Sequence, residues 1–134
     1  MTDANTNQKN TFVVDTSFVL AYLLPDEGGQ VVEEMFSKFE ENKITFISPY
    51  LLAFEIMNGL RSAAMQKRQS INAAEHLLDS FLNMGTLFEK VNEREVFRFA
   101  VKNDITAYDA SYVWLAKSKK LELLTLDEKL EKIQ

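Results

Sequence analysis

Short unbroken runs of β-formers alternate along this chain with longer stretches whose apolar residues recur every three or four positions. The first repeat sets the pattern. Phe12-Val13-Val14 is a β-forming run, Asp15 ends it, and Thr16-Ser17 lead into a second apolar run, Phe18 to Leu24, closed by Pro25. This reads as strand, acid, helix. Apolar residues on both faces of the strand place it inside a sheet covered on both sides. Asp26-Glu27-Gly28-Gly29 then reads as a turn.

Residues 30–41 carry Val31, Val32, Met35, Phe36 and Phe39 at helical spacing. Ile44-Thr45-Phe46-Ile47 is a second buried strand. Ser48-Pro49 reads as an N-cap followed by a first-turn proline, opening a helix over about 50–66 with Leu52, Ile56, Leu60 and Ala63 inward. Ser70 caps a helix that Gly85 ends, and Thr86 to Val91 forms a third strand. Asn92 caps the next helix. Thr106-Ala107-Tyr108-Asp109 has capping-box spacing and opens a helix to about Lys119. Leu121 to Leu124 is a fourth strand, and a short last helix follows Thr125. The order β α α β α α β α α β α predicts a three-layer α/β/α fold around a parallel sheet.

Composition narrows the chemistry. The 134 residues suit one domain, and 46% apolar with 26% charged is an ordinary globular balance. With no cysteine, disulfides, thiolate nucleophiles and cysteine-held zinc are excluded, which fits a reducing cytoplasm without proving one, and a cytoplasmic protein is expected. The single histidine, His76, excludes a histidine pair within one chain and reads as a surface residue. A net charge of −5 argues against broad electrostatic capture of nucleic acid, but not against capture through metal ions and local basic patches. No apolar run is long enough to span a membrane, so no membrane partner is expected. Residues 1–10 are polar, lack a signal-peptide core, and are expected to form a disordered tail ahead of a domain over 11–134.

What remains is carboxylate chemistry. Asp15 ends strand one, Asp127 follows strand four, Asp109 opens the helix before that strand, and Glu55 lies in the second turn of the helix after strand two. The carboxyl ends of parallel strands share one edge, where open α/β folds place their ligands. Asp15 and Asp127 meet there if strands one and four are neighbours. Asp109 reaches that edge only if the link at 103–106 carries the chain back over it. Glu55 reaches it only if its helix leans across the sheet. Each acid also has a plainer explanation: Asp15 as an N-cap, Asp109 as the partner of Thr106, Asp127 as a first-turn acid beside the helix dipole, Glu55 as a solvated residue. Crowded carboxylates do not all ionise without a cation, and an all-oxygen set suits Mg²⁺ or Mn²⁺. Ser17 and Thr125 offer hydroxyls beside two of the acids. Arg61, Lys67 and Arg68 are candidate RNA phosphate contacts, with a solvated face as the simpler reading.

The segments VVDTSFVLAYL, FEIMNGLR, TAYDASYVWLAK and LLTLDEKL, taken in order, resemble the PIN domain, and within it the VapC-type toxins of toxin–antitoxin pairs. The resemblance covers nearly all of the chain after residue 10. It implies a parallel sheet in the order 3-2-1-4, or 3-2-1-4-5 with a short edge strand. That fifth strand looks absent because the sequence stops at Gln134. It also implies a Mg²⁺- or Mn²⁺-dependent ribonuclease whose catalytic and metal-binding acids are Asp15, Glu55, Asp109 and Asp127. An RNA substrate, a homodimer and a cognate antitoxin come with it. Trp114 departs from the smaller aliphatics common at its position and reads as core beside Tyr112 and Leu115.

Two other readings stay open at this point. A haloacid-dehalogenase-like phosphohydrolase would use Asp15 as nucleophile, but that motif wants a second aspartate where this chain has Ser17. A non-catalytic PIN scaffold would bind RNA or a protein partner without cleaving anything.

Overall fold

The structure is a computed structural model and describes residues 10–134. The expected N-terminal tail falls almost wholly outside the described residues. Elements follow in the order β1 (Thr11–Val14), α1 (Thr16–Leu23), α2 (Gln30–Glu40), β2 (Thr45–Pro49), α3 (Leu51–Met65), α4 (Ile71–Leu82), β3 (Leu87–Glu89), α5 (Glu93–Asn103), α6 (Ala107–Lys119), β4 (Glu122–Leu124) and α7 (Glu128–Lys132). The sheet is parallel throughout with strand order β3-β2-β1-β4. β1 is central, as its apolar run requires, and its flanks Val13 and Val14 have no solvent exposure. The chain switches direction across β1, so the ends of β1 and β4 lie side by side. Phe12 pairs with Glu122 and Val14 with Leu124.

Both faces of the sheet are covered. Phe46 on β2 meets Phe36 of α2 edge-on at 5.1 Å between ring centroids, and Phe36 stacks on Tyr22 of α1 at 3.9 Å. Phe88 on β3, in register with Ser48 and so on the same face as Phe46, meets Phe81 of α4. Aromatic pairs of this kind add about 0.5–1.5 kcal/mol each beyond the area they bury. On the other face α6 lies across β1, β2 and β4, with α5 packed beside it.

Local capping set most helix starts. Ser70, Asn92 and Thr106 each accept a hydrogen bond from the backbone N–H three residues on. The expected cap at Ser48 is not there. β2 runs on through Pro49, Tyr50 takes the cap position without a side-chain bond, and the Ser48 hydroxyl donates to the Val14 carbonyl at 3.1 Å. Ser48 is fully buried inside the sheet, so its hydroxyl takes the neighbouring strand as its partner. β3 is also shorter than the run Thr86 to Val91 suggested, and β4 begins at Glu122 rather than Leu121.

The described residues contain four strands. Beyond β4, the side-chain amide of Gln134 receives the Leu123 N–H and donates to the Leu123 carbonyl, at 3.0 and 3.1 Å. It pairs with Leu123 as a neighbouring strand would. Trp114 does pack against the core, at its margin. It is half-buried against α5, and its indole N–H donates to Glu95. Among the described residues no helix is long and apolar enough to cross a membrane.

Candidate functional site

Asp15 is the residue at which β1 becomes α1. It is 4% exposed, caps α1, and its Oδ1 accepts from the Phe18 N–H at 3.1 Å. Two hydroxyls complete its surroundings. Ser17 donates to Oδ1 at 2.7 Å, and Thr125, just past β4, donates to Oδ2. Each hydroxyl also accepts a backbone N–H from the loop between β4 and α7. Leu126 donates to Ser17 at 2.9 Å and Asp127 donates to Thr125 at 3.0 Å. Two backbone amides thus relay through two hydroxyls onto one carboxylate, tying residues about 110 positions apart. Burial pushes the Asp15 pKa above the ordinary carboxylate range. The bonds from Thr125, Ser17 and Phe18 pull it down, and the charge of Asp127 pushes it further up.

Asp127 is the N-cap of α7, taking the N–H groups of Lys129 and Leu130 at 2.8 and 3.3 Å. The plainer explanation for this acid is therefore real, and it leaves the other carboxylate oxygen without a protein partner among the described residues. Asp109 reaches the same edge through the link after α5. Asp104 ends α5 in the left-handed region at φ 52°, and Thr106 opens α6 with a bond from the Asp109 N–H at 3.0 Å. The ammonium of Lys129 reaches the Asp104 carbonyl at 3.3 Å, which sets this link beside the start of α7. Burial, then the charges of Asp127 and Glu55, raise the Asp109 pKa. Lys129 and the Thr106 hydroxyl act against that rise.

Glu55 joins from α3. Its Oε1 accepts from Thr16 and from Tyr112, each at 2.6 Å. Tyr112 is 1% exposed, and burial together with the bond to Glu55 raises its phenol pKa. The four acids thus form one electrostatically linked set: Asp127 acts on Asp15 and on Asp109, and Glu55 acts on Asp109.

Among the described residues, no three acids or histidines sit close enough to make a ready coordination shell. The donor set still fits a hard divalent cation in kind and charge. It is all oxygen, it brings four carboxyls to one edge, and the charge of Asp127 adds to burial in pushing Asp15 and Asp109 up. Mg²⁺ in particular is usually held by one or two carboxylates plus water and substrate oxygens, not by a protein cage.

The basic candidates lie differently. Arg61 and Lys67 are exposed on and just after α3. Arg68 donates to both oxygens of Asp26, at 2.9 and 3.0 Å, and to Glu27, so it fastens the α1–α2 loop. Its pKa is raised by those two partners, and Asp26 is lowered by it. Sequence reasoning missed Thr16, Tyr112 and Lys129. Thr16 was within reach as the neighbour of Asp15. Nothing local marks Tyr112, because its partner lies 57 positions away.

A hollow of about 540 Å³ lies elsewhere, lined by Tyr22, Phe36, Glu40, Ile44 and Met84 among others. Its polar pair is already closed. Tyr22 donates to Glu40, and that bond first, with burial, pushes the Tyr22 pKa up to about 12. The carboxylate edge, not this hollow, is the place with unmatched charge.

Comparison with known proteins agrees with this geometry. The chain is 29% identical over 118 residues to Ribonuclease VapC3 of Pyrobaculum aerophilum, covering 88% of this chain and 90% of that protein. It is 36% identical over 81 residues to Exonuclease VapC9 of the same organism, covering 60% and 61%. The crystal structure of PAE2754 from Pyrobaculum aerophilum superposes with a TM-score of 0.73 at 28% identity, over 91% of this chain and 84% of that one. The PIN domain family matches residues 12–134, and the chain belongs to that family.

Proposed function

We propose that this protein is a divalent-metal-dependent endoribonuclease and the toxin of a type II toxin–antitoxin pair. The observation that carries the reading is the gathering of Asp15, Glu55, Asp109 and Asp127, from four distant segments, at the carboxyl edge of the sheet. Its likeness to a VapC ribonuclease supports the substrate class. These four acids would hold Mg²⁺ or Mn²⁺, which when bound neutralises charge on a phosphodiester and acidifies water. The chain's own contribution is placement. Ser17, Thr125 and the Phe18 amide fix Asp15, and α7 fixes Asp127 by its first-turn amides. Arg61 and Lys67 would meet RNA phosphates outside the acids, and Arg68 would join them on release from Asp26 and Glu27.

The same reading carries a cognate antitoxin, a homodimer and a cytoplasmic setting. Tyr50 at the cap of α3, Phe54 on α3, and Phe97 and Val101 on α5 are exposed apolar side chains that such partners would cover.

RNA cleavage in Mg²⁺ or Mn²⁺, in EDTA, and in Asp15→Asn tests the proposal. Cleavage should vanish in EDTA and fall at least about a hundredfold in the variant, at the upper end of what outer residues around a metal cost. Full activity in either condition would end it. The likeness to an exonuclease favours a second reading, cleavage from chain ends. A circular RNA separates the two, since only an endonuclease opens it.

A further inference from the structure

Two hydroxyls from distant elements converge on one oxygen of Glu55. Thr16 Oγ1, at the first position of α1, and Tyr112 Oη, in α6, each lie 2.6 Å from Glu55 Oε1, while the two hydroxyl oxygens are 3.1 Å apart. The contacts close a triangle, but threonine, tyrosine and an ionised glutamate have only two protons among them. The lengths show where those protons go. Bonds of 2.6 Å are in the range of charge-assisted O–H···O⁻ contacts, and 3.1 Å is longer than an ordinary hydroxyl–hydroxyl bond. Both hydroxyls therefore donate to Oε1, and the third side of the triangle is the closeness this imposes. Oε2 has no protein hydrogen bond among the described residues.

We infer that Tyr112, assisted by Thr16, is a positioning residue for the cation site: its hydroxyl pins Oε1 of Glu55 and leaves Oε2 as the oxygen that meets the metal. This deepens the reading of Glu55 as a metal-binding acid and rests on it. Glutamate is among the side chains that lose most rotamer freedom when fixed. Two bonds made in advance remove that loss from the binding step. A merely structural reason also exists, since a buried tyrosine needs a partner for its hydroxyl. That role would show in the melting temperature and not in metal affinity.

Tyr112→Phe and Thr16→Val, made in the full chain, separate the two. Calorimetry with Mn²⁺ alone should show affinity ten- to a hundredfold weaker in each. The kcat for a mixed-sequence RNA should fall with it, while KM moves less than about threefold, because neither hydroxyl is placed to touch RNA. In a Glu55→Gln background, Tyr112→Phe should weaken Mn²⁺ binding no further. Should Tyr112→Phe fail to fold, by circular dichroism, Thr16→Val at its half-buried helix start carries the same expectation. Wild-type Mn²⁺ affinity in the folded variants, or an equal loss with and without Glu55, overturns the inference. If the wild-type protein itself takes up no Mn²⁺, the metal reading falls and this inference falls with it. If wild type binds Mn²⁺, Asp15→Asn does not, and the hydroxyl variants bind normally, only the inference falls.

Discussion

Asp15 and Asp109 stand at the starts of two helices on the same edge of the sheet, and they are held in opposite ways. Asp15 is buried, and three donors converge on it, two of them relaying backbone amides from the β4–α7 loop. Its charge meets fixed dipoles on most sides. Asp109 is half-buried, with only the Thr106 hydroxyl and the Lys129 charge to offset Asp127 and Glu55. The first is a carboxylate built into the framework. The second is a carboxylate left in a field of like charge, where an added cation would gain most. This edge has one rigid wall and one open wall, which a bound cation would complete.

Stripping the rigid wall tests that contrast most severely. Ser17→Ala combined with Thr125→Val removes two of the three donors on Asp15 and should lower kcat/KM for RNA about a hundredfold, in the range for residues that orient metal-binding groups. Thr106→Ala, on the open side, should cost less than tenfold in the same assay. If it cost as much, the two walls would be alike.

A second prediction concerns stability without metal. Asp15 and Asp109 both have folded-state pKa values above their ordinary ones, Asp15 chiefly through burial and Asp109 through burial and then Asp127. Each group's stability is thus fully present below the unfolded-state value, about 3.9, and is lost as pH rises through the folded-state value. In EDTA at pH 7, Asp15→Asn and Asp109→Asn should therefore melt a few degrees above wild type, and the gain should disappear below about pH 4. Asn keeps the capping ability of Asp15. Calorimetric melting across pH checks the sign, and a destabilised Asp15→Asn would show that the hydrogen bonds outweigh burial there.

The smallest effect is expected beneath the rigid wall, where α1 crosses α3. A Cβ on Gly59 would come within 2.4 Å of Leu20 Cδ1, the end of a flexible side chain. Gly59→Ala forces that leucine to a new rotamer, at a cost of roughly 1 kcal/mol or somewhat more, against about 1 kcal/mol gained from helix propensity. A melting shift of a few degrees or less should result, with Mn²⁺ affinity within twofold of wild type.

Much of this was legible in the chain because the signals were local. Val13 and Val14 mark a strand buried on both faces, and Ser70, Asn92 and Thr106 cap helices with bonds that span three residues. Where a partner lay far off, local reading failed. Ser48 looked like a cap and instead bonds Val14 across the sheet, 34 positions away. Arg68 reads as a candidate RNA phosphate contact, with a solvated face as the simpler reading, and its ion pairs with Asp26 and Glu27 are not visible locally. Trp114 packs against the core as expected, but its indole N–H also reaches Glu95 on the preceding helix, a partner the sequence did not show.

The sequence by itself determined the alternation of strands and helices, the central place of β1, and the presence of an acid at the end of β1 and after β4, because periodicity and chain order are enough for these. Tertiary structure decided what the residues alone left open: that Asp109 and Glu55 reach the edge of those acids, that Ser17 and Thr125 both hold Asp15, and that Thr16 and Tyr112 hold Glu55. A hydrogen bond of 2.6 Å depends on how α1, α3 and α6 lie against one another, and nothing within a few residues of Tyr112 encodes that.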